Sequence, residues 1–157
     1  MKEVAYKSTF LSAQMDELSE HEQSLLNEAI EATKRSYAPY SHFHVGASVL
    51  LDNGVTIMGC NQENAAFPAG TCAERAALFA AGSLYPDHAV EMLAIAARDT
   101  SGQLTDEPIS PCGVCRQVII ETETRFKRPV RILLYGQKQI YVIDGIKQLM
   151  PLSFTEF

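Results

Sequence analysis

Two cysteine-bearing segments constrain this fold more than any other feature. Thr71-Cys72-Ala73-Glu74-Arg75 opens an alanine-rich stretch, and Pro111-Cys112-Gly113-Val114-Cys115 opens a second stretch of helical periodicity. Cys112 and Cys115 are three positions apart, so they share one helix face. Each motif falls in the first turn of an expected helix. Unpaired N–H groups and the positive end of the helix dipole favour a thiolate there. Two helix starts that meet at one point would present three thiolates to one ion. Three thiolates are an incomplete tetrahedron for zinc. A closed structural site takes four protein ligands, whereas a catalytic site keeps one position for water.

The rest of the chain suits an ordinary small globular protein. Its 157 residues, 46% hydrophobic and 20% charged, are expected to form one domain with a real core. No apolar run reaches the roughly 20 residues of a membrane span, and the start, Met1-Lys2-Glu3-Val4, lacks the pattern of a secretory signal. A cytoplasmic location is therefore expected, where cysteines serve metals or catalysis more often than disulfides. A net charge of −6 disfavours a nucleic-acid polymer as partner. The basic run Arg125-Phe126-Lys127-Arg128 reads as a solvated helix end. Cys60, in an apolar stretch, reads as a small buried hydrophobe.

Local signals give the order α-β-β-α-β-α-β-β-α. Ser19-x-x-Glu22 is a capping box opening a helix that ends near Tyr37. Val45–Leu51 and Val55–Cys60 form a hairpin across Asp52-Asn53-Gly54. A helix begins at Cys72, and Met92–Ala97 is a buried strand. Ser110-Pro111 starts the next helix, with Ser110 as its cap. The segment from Pro129 to Tyr135 is another buried strand, Lys138–Ile143 a short one, and Asp144–Met150 a short helix. Residues 1–18 read as an N-terminal extension with an extended arm, and residues 19–157 as a single folded domain. Strand–helix–strand from Met92 to Tyr135 implies a parallel pair. The expected architecture is α/β, with a mixed sheet covered by helices on both faces.

Around the thiols, Arg75 lies three residues after Cys72, on the same helix face, and is expected to hydrogen-bond the thiolates and offset their charge. Arg116 is a second candidate for that role. Glu74 has two readings. It could move protons to and from a zinc-bound water, or it could complete a capping box, Thr71-x-x-Glu74. Cys60 could supply a fourth ligand, which would make the zinc structural. His42-x-His44 could bind metal but has no third ligand nearby in sequence.

Cys-x-Glu followed by Pro-Cys-x-x-Cys is the zinc deaminase pattern. The wider sequence resembles the cytidine deaminases of the small homotetrameric type. The resemblance rests on Tyr37-Ala38-Pro39-Tyr40-Ser41-x-Phe43-x-Val45-Gly46-Ala47, Gly59-x-Asn61-x-Glu63-Asn64-Ala65, Cys72-Ala73-Glu74-Arg75, Ile109-Ser110-Pro111-Cys112-Gly113-x-Cys115-Arg116-Gln117 and Leu149-Met150-Pro151-Leu152-Ser153-Phe154. It implies a three-layer α/β/α sandwich on a mixed five-stranded sheet. It implies one zinc ion per subunit on Cys72, Cys112 and Cys115, with Glu74 as proton shuttle.

The same resemblance gives Asn61 and Glu63 the ribose hydroxyls and Phe43 the face of the pyrimidine. It gives the Ala73 N–H and the Ser110 carbonyl the base edge. Phe154 would reach a neighbouring subunit's site in a homotetramer with shared active sites. The implied reaction converts cytidine or deoxycytidine and water to the uracil nucleoside and ammonia. Two departures stand out: Phe67 replaces the family's usual tyrosine, and residues 1–18 extend beyond its usual start. The rival readings are deamination of another heterocycle or a cytidine nucleotide, and a binding module built on structural zinc.

Overall fold

The computed structural model describes residues 1–155. The order of elements is β1 (Leu11–Ala13), α1 (Glu20–Ala32), β2 (His44–Leu51), β3 (Thr56–Cys60), α2 (Ala73–Leu84), β4 (Val90–Arg98), α3 (Gly113–Phe126), β5 (Arg131–Tyr135) and β6 (Ile140–Asp144). The sheet runs β1-β6-β5-β4-β2-β3. Only β4 and β5 are parallel within this sheet; every other neighbouring pair is antiparallel. That one parallel pair is the one α3 connects.

The sheet therefore has six strands, not five. The extra strand is β1, in the arm read as an extension: Leu11 pairs Val142 and Ala13 pairs Ile140. Phe10 packs against Tyr141 with ring centres 4.9 Å apart and ring planes tilted by 55°. The hydroxyls of Tyr6 and Ser8 donate to the carbonyls of Lys147 and Gln148. The arm thus covers an edge of β6 that would otherwise expose unpaired backbone.

Side-chain alternation along β4 divides the core into two layers. Ala94 and Ala96 face α1 and pack with Leu25, Leu26, Ala29 and Leu133. Leu93 and Ile95 face the other way, among Ala77, Leu78, Ile119, Ile132 and Leu134 beneath α2 and α3. The result is an α/β/α sandwich. Two glycines set the layer spacing. A Cβ on Gly46 would sit 2.1 Å from the Ala29 carbonyl oxygen of α1, and one on Gly59 would sit 2.4 Å from Ala77 N of α2. Only glycine permits such backbone contact.

The capping box at Ser19 forms as expected: Ser19 N donates to Glu22 at 2.8 Å, and Ser19 Oγ accepts from Glu22 N. The hairpin turn also forms, with Gly54 at φ 82°. Three helix boundaries differ from expectation. The first helix stops at Ala32 and continues only as a 3-10 turn over Thr33–Arg35, where Thr33 Oγ1 donates to the Ile30 carbonyl. The helix expected over 144–150 is reduced to a 3-10 turn, Ile146–Gln148, because Gly145 leaves helical geometry at φ 85°. The third helix starts at Gly113, not at Ser110-Pro111, because Cys112 takes the cap position.

Candidate active site

Both cysteine motifs sit at helix N-caps. Cys72 caps α2 with φ −78° and ψ 157°, and Cys112 caps α3 with φ −65° and ψ 164°. Serine or aspartate usually occupies such a position and turns its oxygen onto the first-turn N–H groups. Neither cysteine makes a side-chain cap bond. Their sulfurs are left pointing outward, with the helix dipoles behind them.

The three sulfurs of Cys72, Cys112 and Cys115 lie within 4.8 Å of one another. Cys72 and Cys112 are 3.8 Å apart, and Cys112 and Cys115 are 3.5 Å apart. Tetrahedral zinc with Zn–S of about 2.3 Å needs sulfurs about 3.8 Å apart, so the donor set fits that ion. Cys60 is not in the group. It is half-buried and accepts a hydrogen bond from Gln62 Nε2 at 3.3 Å. Among the described residues no fourth thiol, histidine or carboxylate completes the cluster. This contradicts the closed four-thiolate reading. His44 is likewise occupied, its Nδ1 2.6 Å from Ser36 Oγ.

Electrostatics separate the thiols. Bonding to the Cys115 thiol, helped by Arg75, holds Cys72 down to about 5 despite burial. The same pairing, with burial and the nearby Glu74 carboxylate, pushes the Cys115 thiol up. A zinc ion would take all three as thiolates, releasing their protons. Arg75 Nη2 approaches Cys72 Sγ at 3.8 Å, as its spacing suggested, and its Nε is buried with no hydrogen-bond partner among the described residues. Arg116 does not take that role. Its Nε donates to the Pro111 carbonyl at 2.9 Å and its Nη1 to the Leu149 carbonyl at 2.5 Å.

Glu74 is only 4% exposed. It does not complete a capping box, since Cys72 and not Thr71 is the cap. Burial pushes its carboxyl above the ordinary range, and the Cys72 thiolate adds to this. A buried carboxyl with a raised pKa beside a metal-ligand cluster is suited to accepting and returning protons.

Glu74 opens onto a cavity of about 640 Å³, also lined by Phe43, Asn61, Glu63, Arg75, Ser110, Cys72 and Cys112. Cys115 lies beneath it, fully buried. Ala73 is also fully buried and contributes its place at the first turn of α2, where N–H groups have no helical partner. Phe154 does not line this cavity. It is 63% exposed, and its carbonyl accepts from Gln117 Nε2 at 2.9 Å.

Asn61 and Glu63 have backbone duties that their sequence pattern did not reveal. Asn61 Oδ1 accepts from Val45 N at 2.8 Å, and its Nδ2 donates to the Phe43 carbonyl at 2.9 Å. Glu63 accepts from Tyr40 N at 2.9 Å, from Ser41 N at 3.2 Å and from the Ser41 hydroxyl. The Ser41 hydroxyl leads the bonds that hold Glu63 below the usual carboxylate range. Ser41 Oγ also accepts from Phe43 N at 3.0 Å. Tyr40 and Ser41 are thus site residues not singled out beforehand, although both stand in the Tyr40-Ser41-x-Phe43 block. Phe67 lies on the cavity rim, 83% exposed.

Comparison with known proteins decides the family. Residues 19–130 match the family described as the cytidine and deoxycytidylate deaminase zinc-binding region. The chain belongs to that family. Among relatives of this deaminase family, the cytidine deaminase of Halalkalibacterium halodurans is 44% identical over 133 residues, covering 85% of this chain and 93% of that protein. The cytidine deaminase of Mycobacterium tuberculosis is 38% identical over 110 residues, covering 68% of this chain and 77% of that one. The crystal structure of cytidine deaminase from Burkholderia pseudomallei matches with a TM-score of 0.72 at 35% identity, over 87% of this chain and all of that chain. The deaminase family's matched region begins at Ser19, the cap of α1, so β1 precedes it.

Proposed function

We propose that this chain catalyses hydrolytic deamination of cytidine and 2′-deoxycytidine to uridine and 2′-deoxyuridine, with release of ammonia. One observation carries the reading: an open three-thiol cluster shares a nucleoside-sized cavity with a buried carboxyl, Glu74. Relatives that this chain matches over most of their length are named cytidine deaminases, which supports the cytidine part of the reading.

Cys72, Cys112 and Cys115 hold one zinc ion per subunit, which supplies Lewis acidity that makes water nucleophilic near neutral pH. Glu74 takes one proton from the attacking water and delivers it to ring N3. The water oxygen bonds to C4. Glu74 then moves the second proton from that oxygen to the amino nitrogen, the C4–N bond breaks and ammonia leaves. Arg75 offsets the net negative charge that three thiolates place on a divalent ion, which would otherwise oppose water activation. Phe43 packs on the pyrimidine, and the Ala73 N–H and the Ser110 carbonyl bind the base edge. Asn61 and Glu63 receive the ribose hydroxyls with the hydrogen-bonding capacity that their backbone contacts leave.

A homotetramer with shared active sites fits the exposed apolar side chains. Phe79 on α2, Val114 on α3 and Phe154 near the C-terminus are each more than half exposed. In that assembly Phe154 completes a neighbour's pocket. A cytoplasmic setting suits the free thiols; no helix among the described residues is long and apolar enough to cross a membrane.

The Glu63 carboxylate disfavours a substrate with phosphate on the ribose. Ammonia release from cytidine, deoxycytidine, cytidine monophosphate and free cytosine tests the substrate class. The two nucleosides are expected to react far faster than the other two. Preference for the monophosphate, or no release from either nucleoside, contradicts the proposal.

A further inference from the structure

We infer that Arg116 is a positioning residue that couples the C-terminal segment 149–154 to the loop carrying Ser110 and Cys112. This rests on the deaminase reading above. The guanidinium bridges two backbone carbonyls that are distant in sequence. Nε binds the Pro111 carbonyl at 2.9 Å, and Nη1 binds the Leu149 carbonyl at 2.5 Å. Pro111 stands between a residue that lines the cavity, Ser110, and a cluster cysteine, Cys112. The bridge therefore acts on both the base-edge wall and the metal ligands.

The loop needs such a tie. Residues 108–112 belong to no helix or strand, and Pro111 has no N–H to donate. Arg116 grips the loop twice, since its own backbone N–H also donates to the Cys112 carbonyl at 2.9 Å. The other end of the bridge is firmly anchored. Leu149 N donates to the carbonyl of Ile146, which is fully buried, and Ile146 N donates to Glu123 Oε1. Tyr6 and Ser8 hold the two carbonyls just before Leu149. Gln117 clasps the far end of the segment at the Phe154 carbonyl. Consecutive residues of α3 thus fix both ends of 149–154, but only Arg116 also holds the ligand loop.

The residue type matters. A guanidinium presents several donors in a rigid planar fork, whereas lysine offers one compact charge on a flexible stem. Lysine at 116 can satisfy one carbonyl well, not both in fixed register. Displacement of a positioned group by about 1 Å can cost on the order of 10²-fold in rate.

The test compares zinc-loaded wild type with R116A, R116K and Q117A. The readouts are kcat and KM for cytidine, the rate of zinc transfer to a chelator, and the thermal midpoint. R116A is expected to lose on the order of 10²-fold in kcat/KM and to release zinc faster. R116K is expected to lose about tenfold, since one of the two ties survives. Q117A should raise KM yet release zinc at the wild-type rate. A merely structural Arg116 would lower the midpoint while leaving kcat/KM and zinc release unchanged well below it, and that result overturns the inference. If R116A does not fold, wild-type kinetics and zinc release in R116K overturn it equally. A wild type that holds zinc but does not deaminate cytidine contradicts the functional reading instead; the zinc-release comparison then still judges the role of Arg116.

Discussion

Asn61 fastens the backbone of Phe43: its Nδ2 donates to the Phe43 carbonyl at 2.9 Å while its Oδ1 accepts from Val45 N. One amide thereby sets where the aromatic ring enters the cavity. N61A removes the strand tie together with the ribose contact proposed for Asn61. KM for cytidine should rise at least tenfold, roughly 1.4 kcal/mol, with a smaller fall in kcat. N61D should do no better, because a carboxylate cannot donate to a carbonyl. Steady-state kinetics on both variants check this, and an unchanged KM in N61A counts against it.

Gly59 sets the distance between β3 and the start of α2. A Cβ there would meet Ala77 N at 2.4 Å and the Ala73 carbonyl oxygen at 2.5 Å, both backbone atoms that cannot swing aside. G59A should cost about 3 kcal/mol, the upper end for overpacking. Because α2 carries Cys72 at its cap, zinc content should fall as well. Urea unfolding with parallel metal analysis reads both effects.

Glu22 ties α1 to the sheet, bonding Arg131 Nε at 2.6 Å beside its bond from Ser19. Burial alone would raise its pKa, but the Ser19 and Arg131 bonds outweigh it and hold the carboxyl low. A carboxyl whose folded pKa lies below its unfolded one stabilises the fold above the unfolded value. That contribution is lost as pH falls through the folded value. Wild type should therefore lose stability on acidification below about pH 4.3, the ordinary glutamate value. E22Q should show a shallower acid slope and be about 1–3 kcal/mol less stable at neutral pH. Chemical denaturation across pH 3–7 on both proteins decides it.

Glu74 offers a carboxyl that E74Q makes unable to carry a proton while keeping its shape. Turnover of cytidine should fall by on the order of 10²–10⁴-fold, with zinc content and thermal midpoint near wild type. Near-normal turnover would remove Glu74 from the chemistry.

The features legible in the sequence are those that local chemistry determines. Ser19 and Glu22 cap a helix through bonds three residues apart, and Asp52-Asn53-Gly54 turns a hairpin within its own backbone. The thiol cluster was legible because Cys72 and Cys112 cap α2 and α3 and Cys115 stands in the first turn of α3, where unpaired N–H groups and the helix dipole favour a thiolate. Features that depend on distant partners were not. Leu11–Ala13 is too short to read as a strand until β6 lies beside it. Ser110 has better capping chemistry than Cys112, yet the fold places the cap at the cysteine. Arg116 has the right spacing to approach the thiols, but the carbonyls of Pro111 and Leu149 take its donors instead. Nothing local signals that the Asn61 amide is used by Phe43 and Val45.

The most direct test of a zinc-dependent nucleoside deaminase is ammonia release from cytidine by one protein preparation in three states: as purified, after chelation, and after zinc is restored. Uridine and ammonia are expected in equal amounts, with loss of both on chelation and their return with zinc. Zinc-loaded protein that binds the metal through Cys72, Cys112 and Cys115 yet releases no ammonia from cytidine or deoxycytidine would contradict it.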